Sequence, residues 1–385
     1  MLVEDIVAKK NGLTEYEWAD LVEKYHLDVS PDTLRKAGVG VMLADAVMRG
    51  EGDNFVKEQT LRDLRNEVMA YRRSDARRTE LANAIERAAK AMPDLRGEYE
   101  AGVSEAENKV ESKAESKELV LALGDFHFGA DIEVRGLRGE KMNVYNSDVF
   151  VHRLLQVAMQ TELILEKEKI ATMNIFLVGD LIDGMLRQSQ LTRLEYGIVD
   201  QVMKLGEHLA LWLKHLARFG TQIKVYAVSG NHSEVRPLRA KSREFEDENL
   251  ERIVIWYLKA RLDGIDNVEI CSDCERRKLV EVCGYKFMLM HGDSISGKTL
   301  TDLARDSINL YGEPIDYFVV GHLHNDAEFS VGTSPDGHST IVRVPSLCGI
   351  DKYAQSLERG ACPGATAMVI ENGYGRRCVY PIKVK

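Results

Sequence analysis

The sequence lacks any uninterrupted apolar run long enough to cross a lipid bilayer, although the hydrophobic classes supply 44% of its residues. Charged residues supply 29%, which is close to the average for a globular protein. These two features exclude a membrane-spanning protein and a disordered chain. With 385 residues, the chain is long enough for one large domain and a smaller one.

Cysteine is also scarce, with six residues dispersed along the chain. That spacing is typical of free thiols in a reducing compartment. Cys271 and Cys274 form the only close pair, and a zinc knuckle there is the less favoured alternative. The N-terminal segment carries acidic residues where a secretory signal has basic residues followed by an apolar block, so we expect a cytoplasmic location.

The chain has no excess of positive charge, because its formal net charge is −10. A surface that coats nucleic acid needs clustered lysine and arginine, whose binding to phosphates releases counterions. The composition therefore disfavours a broad nucleic-acid-coating surface. A local basic stripe beside bound metal ions could still bind DNA.

The first hundred residues predict a helical domain. Thr14 and Glu17 have the spacing of a capping box before an apolar helix face. Ser30 and Pro31 predict the start of a second helix. A helix, a short break and a second helix resemble a DNA-binding helix-turn-helix, although small helical bundles share this pattern and two glycines weaken the second helix.

A longer helical region follows at 60–96, and it is rich in arginine interleaved with acidic residues. The simpler interpretation is a solvated face with ion pairs at helical spacing. The alternative is a substrate-binding stripe that contacts DNA phosphates through Arg72, Arg73, Arg77 and Arg78. The same helical domain could instead bind a protein partner or a second copy of the chain.

The composition changes after this region. Residues 101–118 are rich in Glu, Ser and Lys and poor in large apolar residues, which predicts a charged linker between a helical domain at 1–100 and a catalytic domain at 119–385. Short β-branched runs then predict strands at 119–123, 175–178, 223–228, 279–282, 286–290 and 317–320. Helical stretches separate the earlier runs, so the expected architecture is a layered α/β domain with its sheets packed in the middle.

Five of these strands lead into segments rich in metal-binding residue types. The segments are Asp125-Phe-His127, Gly179-Asp180-Leu-Ile-Asp183, Gly230-Asn231-His232, His291-Gly-Asp293 and Gly321-His322-Leu-His324. A single histidine near a strand end is more often a packed residue than a ligand, but five ordered segments together indicate a metal site. Mixed carboxylate, imidazole and amide groups suit a borderline or hard divalent metal such as manganese or iron.

In this order the five segments resemble the calcineurin-like metallophosphoesterase superfamily, whose pattern is D-x-H, GD-x-x-D, GNH with an acidic residue, a lone H and GH-x-H. The resemblance covers roughly residues 118–350 and implies two packed β-sheets flanked by helices. It also implies two divalent metal ions, with Mn²⁺ expected first and Fe, Mg or Zn as alternatives. One ion would be held by Asp125, His127, Asp180 and His324, and the other by Asp180, Asn231, His291 and His322. By the same resemblance, His232 would face the substrate and protonate or stabilise the leaving oxygen.

The sequence departs from this pattern after His232, where Ser233 stands in the position of the acidic residue and Glu234 follows. The acidic partner of His232 is therefore open, with Glu234 and Asp183 as the two candidates. Arg236 could contact a substrate phosphate, although a surface role is the simpler interpretation.

Two cations about 3.5 to 4 Å apart can clamp a phosphoryl group and acidify a bridging water. We therefore expect in-line attack by metal-bound hydroxide without a covalent phosphoenzyme. The motifs look most like those of SbcD-type DNA repair nucleases and their phage-encoded relatives, so the leading hypothesis is a manganese-dependent DNA exonuclease or endonuclease. The alternatives are a phosphomonoesterase, a small-molecule or cyclic-nucleotide phosphodiesterase, and a non-catalytic scaffold that binds DNA or protein.

Overall fold

The computed structural model describes residues 2–11, 13–27, 29–35, 83, 86–87, 117–186, 188–236, 241, 244–245, 247–293, 300–312, 314–334, 337–356, 360 and 362–385. The chain divides into two compact units, Met1–Ala84 and Ile85–Lys385. Of the predicted linker, only its last two residues are described, and they belong to the first strand. Within the described ranges, no helix is both long and apolar enough to cross a membrane.

The described part of the first unit contains helices α1 (Leu2–Lys10) and α2 (Trp18–Lys24) and a helical segment at 31–35. The capping box predicted from Thr14 is wrong, because Glu17 and Asp20 form it instead, and the backbone N–H of Glu17 donates to Asp20 at 2.7 Å. Ser30 caps the segment at 31–35, since its hydroxyl oxygen accepts a bond of 3.1 Å from the N–H of Thr33.

The rest of the predicted helix-turn-helix lies outside the described residues. The same is true of the four arginines at 72, 73, 77 and 78. The DNA-binding role of this region therefore stays a prediction.

The described part of the second unit contains both strands and helices. Its strands are β1 (Lys117–Leu123), β2 (Ile132–Arg135), β3 (Lys141–Tyr145), β4 (Thr172–Leu177), β5 (Gln222–Ala227), β6 (Val268–Ile270), β7 (Arg277–Val282), β8 (Tyr285–Met290), β9 (Tyr317–Val320), β10 (Ala327–Ser334), β11 (Gly337–Arg343), β12 (Gly364–Glu371) and β13 (Gly375–Lys383). Its helices are α3 (Ser147–Glu168), α4 (Gln188–Leu191), α5 (Ile198–Ala217), α6 (Glu251–Arg261), α7 (Leu300–Tyr311) and α8 (Lys352–Ser356).

The strands form two large sheets and a small β2–β3 ribbon. The first sheet has the order β13-β12-β1-β4-β5-β6, in which β1, β4, β5 and β6 are parallel. The second has the order β10-β11-β9-β8-β7, in which β8, β9 and β11 are parallel. Because the carboxyl ends of parallel strands share one sheet edge, β1, β4 and β5 deliver their following residues to the same place.

Apolar side chains join the two sheets face to face. Val120 and Phe176 of the first sheet share a buried cluster with Phe287 and Val319 of the second, and the rings of Phe176 and Phe287 are 5.7 Å apart. Helices cover the outer face of the first sheet, where α5 buries a stripe at helical spacing formed by Val202, Leu205, Leu209, Leu213 and Leu216. The predicted layered α/β fold with two packed, helix-flanked sheets is confirmed.

Candidate metal centre

The five motif segments meet where the parallel strands of both sheets end. Asp125, Asp180 and Asn231 follow β1, β4 and β5 in the first sheet, and His291 and His322 follow β8 and β9 in the second. Since the two sheets pack face to face, the segments approach one another from both layers.

The backbone at these strand ends is turned sharply. Left-handed φ angles occur at five of the candidate ligands: 49° at Asp125, 45° at His127, 52° at Asp180, 67° at His322 and 60° at His324. Such angles are uncommon for residues other than glycine and tend to occur at functional sites. In a straight strand, side chains two positions apart lie in line along one face of the sheet. The turn brings them together, so that both can face the same site.

One group of candidate ligands consists of Asp125, His127 and His324, with one donor atom from each within 4.8 Å of the others. The Nε2 atoms of the two imidazoles are 3.2 Å apart, and Nε2 of His324 is 3.7 Å from Oδ1 of Asp125. That carboxylate oxygen is buried and has no hydrogen-bond partner in the described part of the chain. A buried acceptor without a partner, facing two imidazoles, fits a divalent cation.

Burial gives this group the protonation behaviour that metal binding needs. It lowers the pKa of His324 to about 3, and it also lowers the pKa of His127. Both imidazoles are therefore neutral at pH 7, which is the form that binds a metal ion. Burial also raises the pKa of Asp125 to about 7, and a nearby cation would favour its ionised form.

A second group consists of Asp180, His291 and His322. Nε2 of His291 lies 3.0 Å from Oδ2 of Asp180, 3.1 Å from Oδ1 of Asn231 and 3.2 Å from Nδ1 of His322. The other ring nitrogen of His291 is 2.9 Å from the carbonyl oxygen of Val178, to which it can donate, and this contact leaves Nε2 facing the site. Burial alone would lower the pKa of His291, but Asp180 outweighs it and raises the value to about 10; a cation would compete with that proton.

Asp180 links the two groups. It belongs to the second group, and it also lies within 4.8 Å of donor atoms of His127 and His232. Its Oδ1 accepts a bond of 2.8 Å from the backbone N–H of His232. Gly230 makes this approach feasible, because a Cβ at that position would come within 2.1 Å of the same oxygen.

His232 reaches the site with one ring nitrogen and is anchored by the other. Its Nε2 is 3.9 Å from Oδ2 of Asp180, and its Nδ1 is 3.0 Å from the carbonyl oxygen of Asp183 and 2.9 Å from Nε2 of Gln190. Of the two acidic candidates, Asp183 lies beside His232, with Oδ1 at 3.5 Å from Nδ1. Glu234 instead bonds Arg236, whose Nε donates to it at 2.7 Å.

Asp183 is fully buried and is held by an arginine that the motifs do not contain. Arg193 donates to both of its carboxylate oxygens, at 3.0 and 2.6 Å, and reaches Asp351 at 3.1 Å. Nδ1 of His127 is 3.3 Å from Asp183. Burial alone would raise the pKa of Asp183, but the neighbouring imidazoles and Arg193 hold it well below the usual value.

Several of these groups were missed by sequence reasoning. Arg193, Asp351, Gln190 and the fully buried Glu251 lie outside the five segments, and no local spacing singles them out. Only the folded arrangement brings them together. Among the described residues the candidate metal groups contain no cysteine, so Cys271 and Cys274 gain no support as zinc ligands.

Of the predicted substrate-binding arginines, Arg236 lies within the described residues and the other four do not. The side chain of Arg236 is 24% exposed and lies against Glu234. A contact between Arg236 and a substrate stays a prediction, as it does for the four arginines outside the described ranges.

The sequence is similar to a known protein family and to a prophage-derived protein. The sequence model of the calcineurin-like phosphoesterase family matches residues 118–326. The SPbeta prophage-derived uncharacterized protein YonJ of Bacillus subtilis (strain 168) is 30% identical over 274 residues, which cover 71% of this chain. The match spans 65% of that relative's length.

Solved structures with detectable likeness are more distant. Zn²⁺-complexed Vps29 from Entamoeba histolytica has a TM-score of 0.31 and 13% identity, covering 69% of this chain and 99% of that one. The NAD nucleotidase of Haemophilus influenzae has a TM-score of 0.32 and 13% identity, covering 69% and 50%. A metallophosphoesterase from Sphaerobacter thermophilus has a TM-score of 0.30 and 13% identity, covering 69% and 89%. At these TM-scores the likeness supports neither a substrate nor a mechanism.

The family match covers more than half of the chain and includes all five motif segments, whose candidate ligands also meet in space. The chain belongs to the calcineurin-like phosphoesterase family.

Proposed function

We propose that this chain is a hydrolase that cleaves phosphoesters with two divalent metal ions. One ion would be held by Asp125, His127, Asp180 and His324, and the other by Asp180, Asn231, His291 and His322. The observation that carries this proposal is the position of Asp180, which lies in one donor group and within reach of the other. When bound, two such cations supply positive charge for the phosphoryl oxygens and lower the pKa of a water molecule.

Residues of the chain would supply the proton for the leaving oxygen and position the group that donates it. His232 would hold a proton at Nε2 and give it to the leaving oxygen, because its Nδ1 faces the carbonyl oxygen of Asp183 at 3.0 Å, to which it can donate. Asp183 would orient this ring and favour its protonated form through a carboxylate oxygen 3.5 Å away. Arg193 would keep that carboxylate fixed and ionised.

We propose DNA as the substrate, cleaved as a phosphodiester with Mn²⁺ as the preferred ion. Two features support this choice: the resemblance of the motifs to SbcD-type nucleases, and the helical domain predicted at 1–100, which precedes the catalytic residues in the sequence. The similarity to a prophage-derived protein is in keeping with a phage-encoded branch. A phosphatase acting on a small molecule has little need of such an added unit.

The test is a set of parallel hydrolysis assays with Mn²⁺. The substrates are labelled single- and double-stranded DNA, bis-p-nitrophenyl phosphate and p-nitrophenyl phosphate, and Asp180→Asn is the matched inactive control. We expect cleavage of DNA and of the diester, loss of both with a chelator, and recovery on adding Mn²⁺.

Each other outcome favours one alternative. Hydrolysis of the monoester without DNA cleavage would favour a phosphomonoesterase. Diester hydrolysis without DNA cleavage would favour a small-molecule phosphodiesterase. Metal binding without turnover of any substrate would favour a scaffold.

A further inference from the structure

Glu251 is a buried carboxylate outside the five motifs that bonds the backbone next to two of the candidate ligands. It is the first residue of α6 and is 0% exposed. Its backbone N–H donates to Oδ1 of Asn249 at 3.0 Å, and Nδ2 of Asn249 donates to the carbonyl oxygen of Gly230 at 2.8 Å. The start of the helix is therefore fastened to the segment that carries Asn231 and His232.

The Glu251 carboxylate joins two motif segments. Its Oε1 accepts a bond of 2.7 Å from the N–H of Leu181, which directly follows Asp180. Its Oε2 accepts a bond of 3.0 Å from the N–H of Gly230, which directly precedes Asn231. One side chain thus fixes the backbone immediately after Asp180 and immediately before Asn231.

Ser233 supplies the third donor to this carboxylate. Its hydroxyl donates to Oε1 of Glu251, and Ser233 is itself 0% exposed. Ser233 stands where the family pattern has an acidic residue. A carboxylate at 233 would place a second buried anion beside that of Glu251. The hydroxyl of Ser233 instead donates a hydrogen bond to the Glu251 carboxylate.

The charge of Glu251 has no cationic partner in the described part of the chain. Its three donors are two backbone N–H groups and one hydroxyl, all neutral. A buried carboxylate without a counterion is costly, even when it is fully hydrogen-bonded. Divalent ions bound beside Asp180 would offset this charge, so cation binding relieves a penalty that the metal-free fold carries.

We propose that Glu251 is a positioning residue for the metal pair, one that fixes the Asp180 and Asn231 segments and raises the affinity of the site for divalent cations. This inference rests on the proposed function. It assigns to a residue on α6 a role that the segment after His232 does not fill, because Ser233 stands in the acidic position and Glu234 bonds Arg236.

The test measures Mn²⁺ binding directly, with full-length protein and isothermal titration calorimetry. Glu251→Gln keeps the shape of the side chain and removes its charge, so we expect the affinity to fall by about 10- to 100-fold. Ser233→Ala removes one donor and leaves the charge, so its loss should be smaller. Glu269→Gln, an exposed residue on β6, is the matched control and should bind as the unchanged protein does.

Thermal unfolding separates this role from general structural support. Without metal, Glu251→Gln removes a buried charge, but its amide nitrogen replaces an oxygen that accepts a hydrogen bond, so the two effects oppose each other and the unfolding temperature should change little. The rise in unfolding temperature on adding Mn²⁺ should be smaller than in the unchanged protein. A variant that stays unfolded at saturating Mn²⁺, or one with unchanged Mn²⁺ affinity, would overturn the proposal.

The ordering of the variants gives a further check. If Ser233→Ala lost more affinity than Glu251→Gln, the charge argument would be wrong. Failure of the unchanged protein to bind Mn²⁺ at all would instead count against the proposed two-metal function.

Discussion

The backbone N–H of His232 donates to Oδ1 of Asp180 at 2.8 Å, so the proposed proton donor and the proposed shared ligand are bonded through the main chain. The same carboxylate presents Oδ2 to Nε2 of His291 at 3.0 Å. Asp180 thus uses one oxygen to position the neighbouring segment and keeps the other for the centre of the site. Replacements at Asp180 and at His232 should therefore have different consequences, which metal analysis can separate.

Asp180→Asn should abolish turnover and lower the metal content without unfolding the domain. The change removes a charge that two cations would share, while it keeps the size and shape of the side chain. The measurement is metal content by mass spectrometry, with circular dichroism as the folding control. Two tightly held ions together with a near-normal rate would show that Asp180 is not the shared ligand.

His232→Asn should leave both ions in place and reduce the rate by roughly 100- to 10,000-fold, the usual range for loss of an acid–base group. DNA should suffer the larger loss, because its leaving oxygen needs a proton and p-nitrophenolate does not. Rates on DNA and on bis-p-nitrophenyl phosphate provide the comparison. Equal losses on the two substrates, with one ion missing, would identify His232 as a ligand.

Arg193→Met should destabilise the protein by roughly 3 to 5 kcal/mol, because it leaves the fully buried Asp183 without its cation. Urea denaturation measures the effect. Arg305→Met is the control, since the side chain of Arg305 is 65% exposed in its pair with Asp302 and should matter little. Equal midpoints for the two variants would show that the Arg193 pair adds nothing to stability.

Gly230→Ala should disrupt the centre, because a Cβ there would lie 2.1 Å from both the N and Oδ1 of Asp180. We expect loss of bound metal. Gly197→Ala offers a matched control, since Gly197 has φ −62° and an added Cβ would meet no atom within 4 Å beyond its two neighbours in the chain. Normal metal content in Gly230→Ala would contradict the close approach of the two segments.

Replacing the four arginines Arg72, Arg73, Arg77 and Arg78 with glutamine should weaken DNA binding and flatten its salt dependence, if they contact the backbone. Each lost phosphate contact reduces the slope of log affinity against log salt by about 0.9. Hydrolysis of bis-p-nitrophenyl phosphate should not change. The control replaces four exposed arginines elsewhere, Arg35, Arg135, Arg305 and Arg377. Identical slopes for the two sets would identify the first set as a solvated face.

The sequence predicts the ends of the central strands well, because a buried strand and the polar segment after it are both local patterns. The predicted strand at 119–123 lies within β1, and the one at 317–320 coincides with β9. Strands β12 and β13, by contrast, carry no following motif and were not predicted, although β12 pairs directly with β1 at the centre of the first sheet.

The side chains around the ligands are less predictable for a physical reason. Arg193 and Glu251 act through partners that are distant in sequence, so their importance depends on tertiary contacts. Neither residue stands in one of the five local motifs. The N-terminal cap of α2 shows the same limit on a smaller scale. Thr14 and Glu17 have the spacing of a capping box, but Glu17 and Asp20 form the capping box of the structure.

The left-handed backbone at five candidate ligands narrows the amino acids that those positions can accept. Apart from glycine, aspartate, asparagine and histidine tolerate this conformation best, and the same three types bind divalent cations through oxygen or nitrogen. Glutamate is as good a carboxylate donor as aspartate, yet it tolerates the turn less well and is one methylene longer. Saturation libraries at 125 and 180 should therefore enrich aspartate over glutamate even in a screen for folding alone, so the chain geometry and the cation would select the same residues.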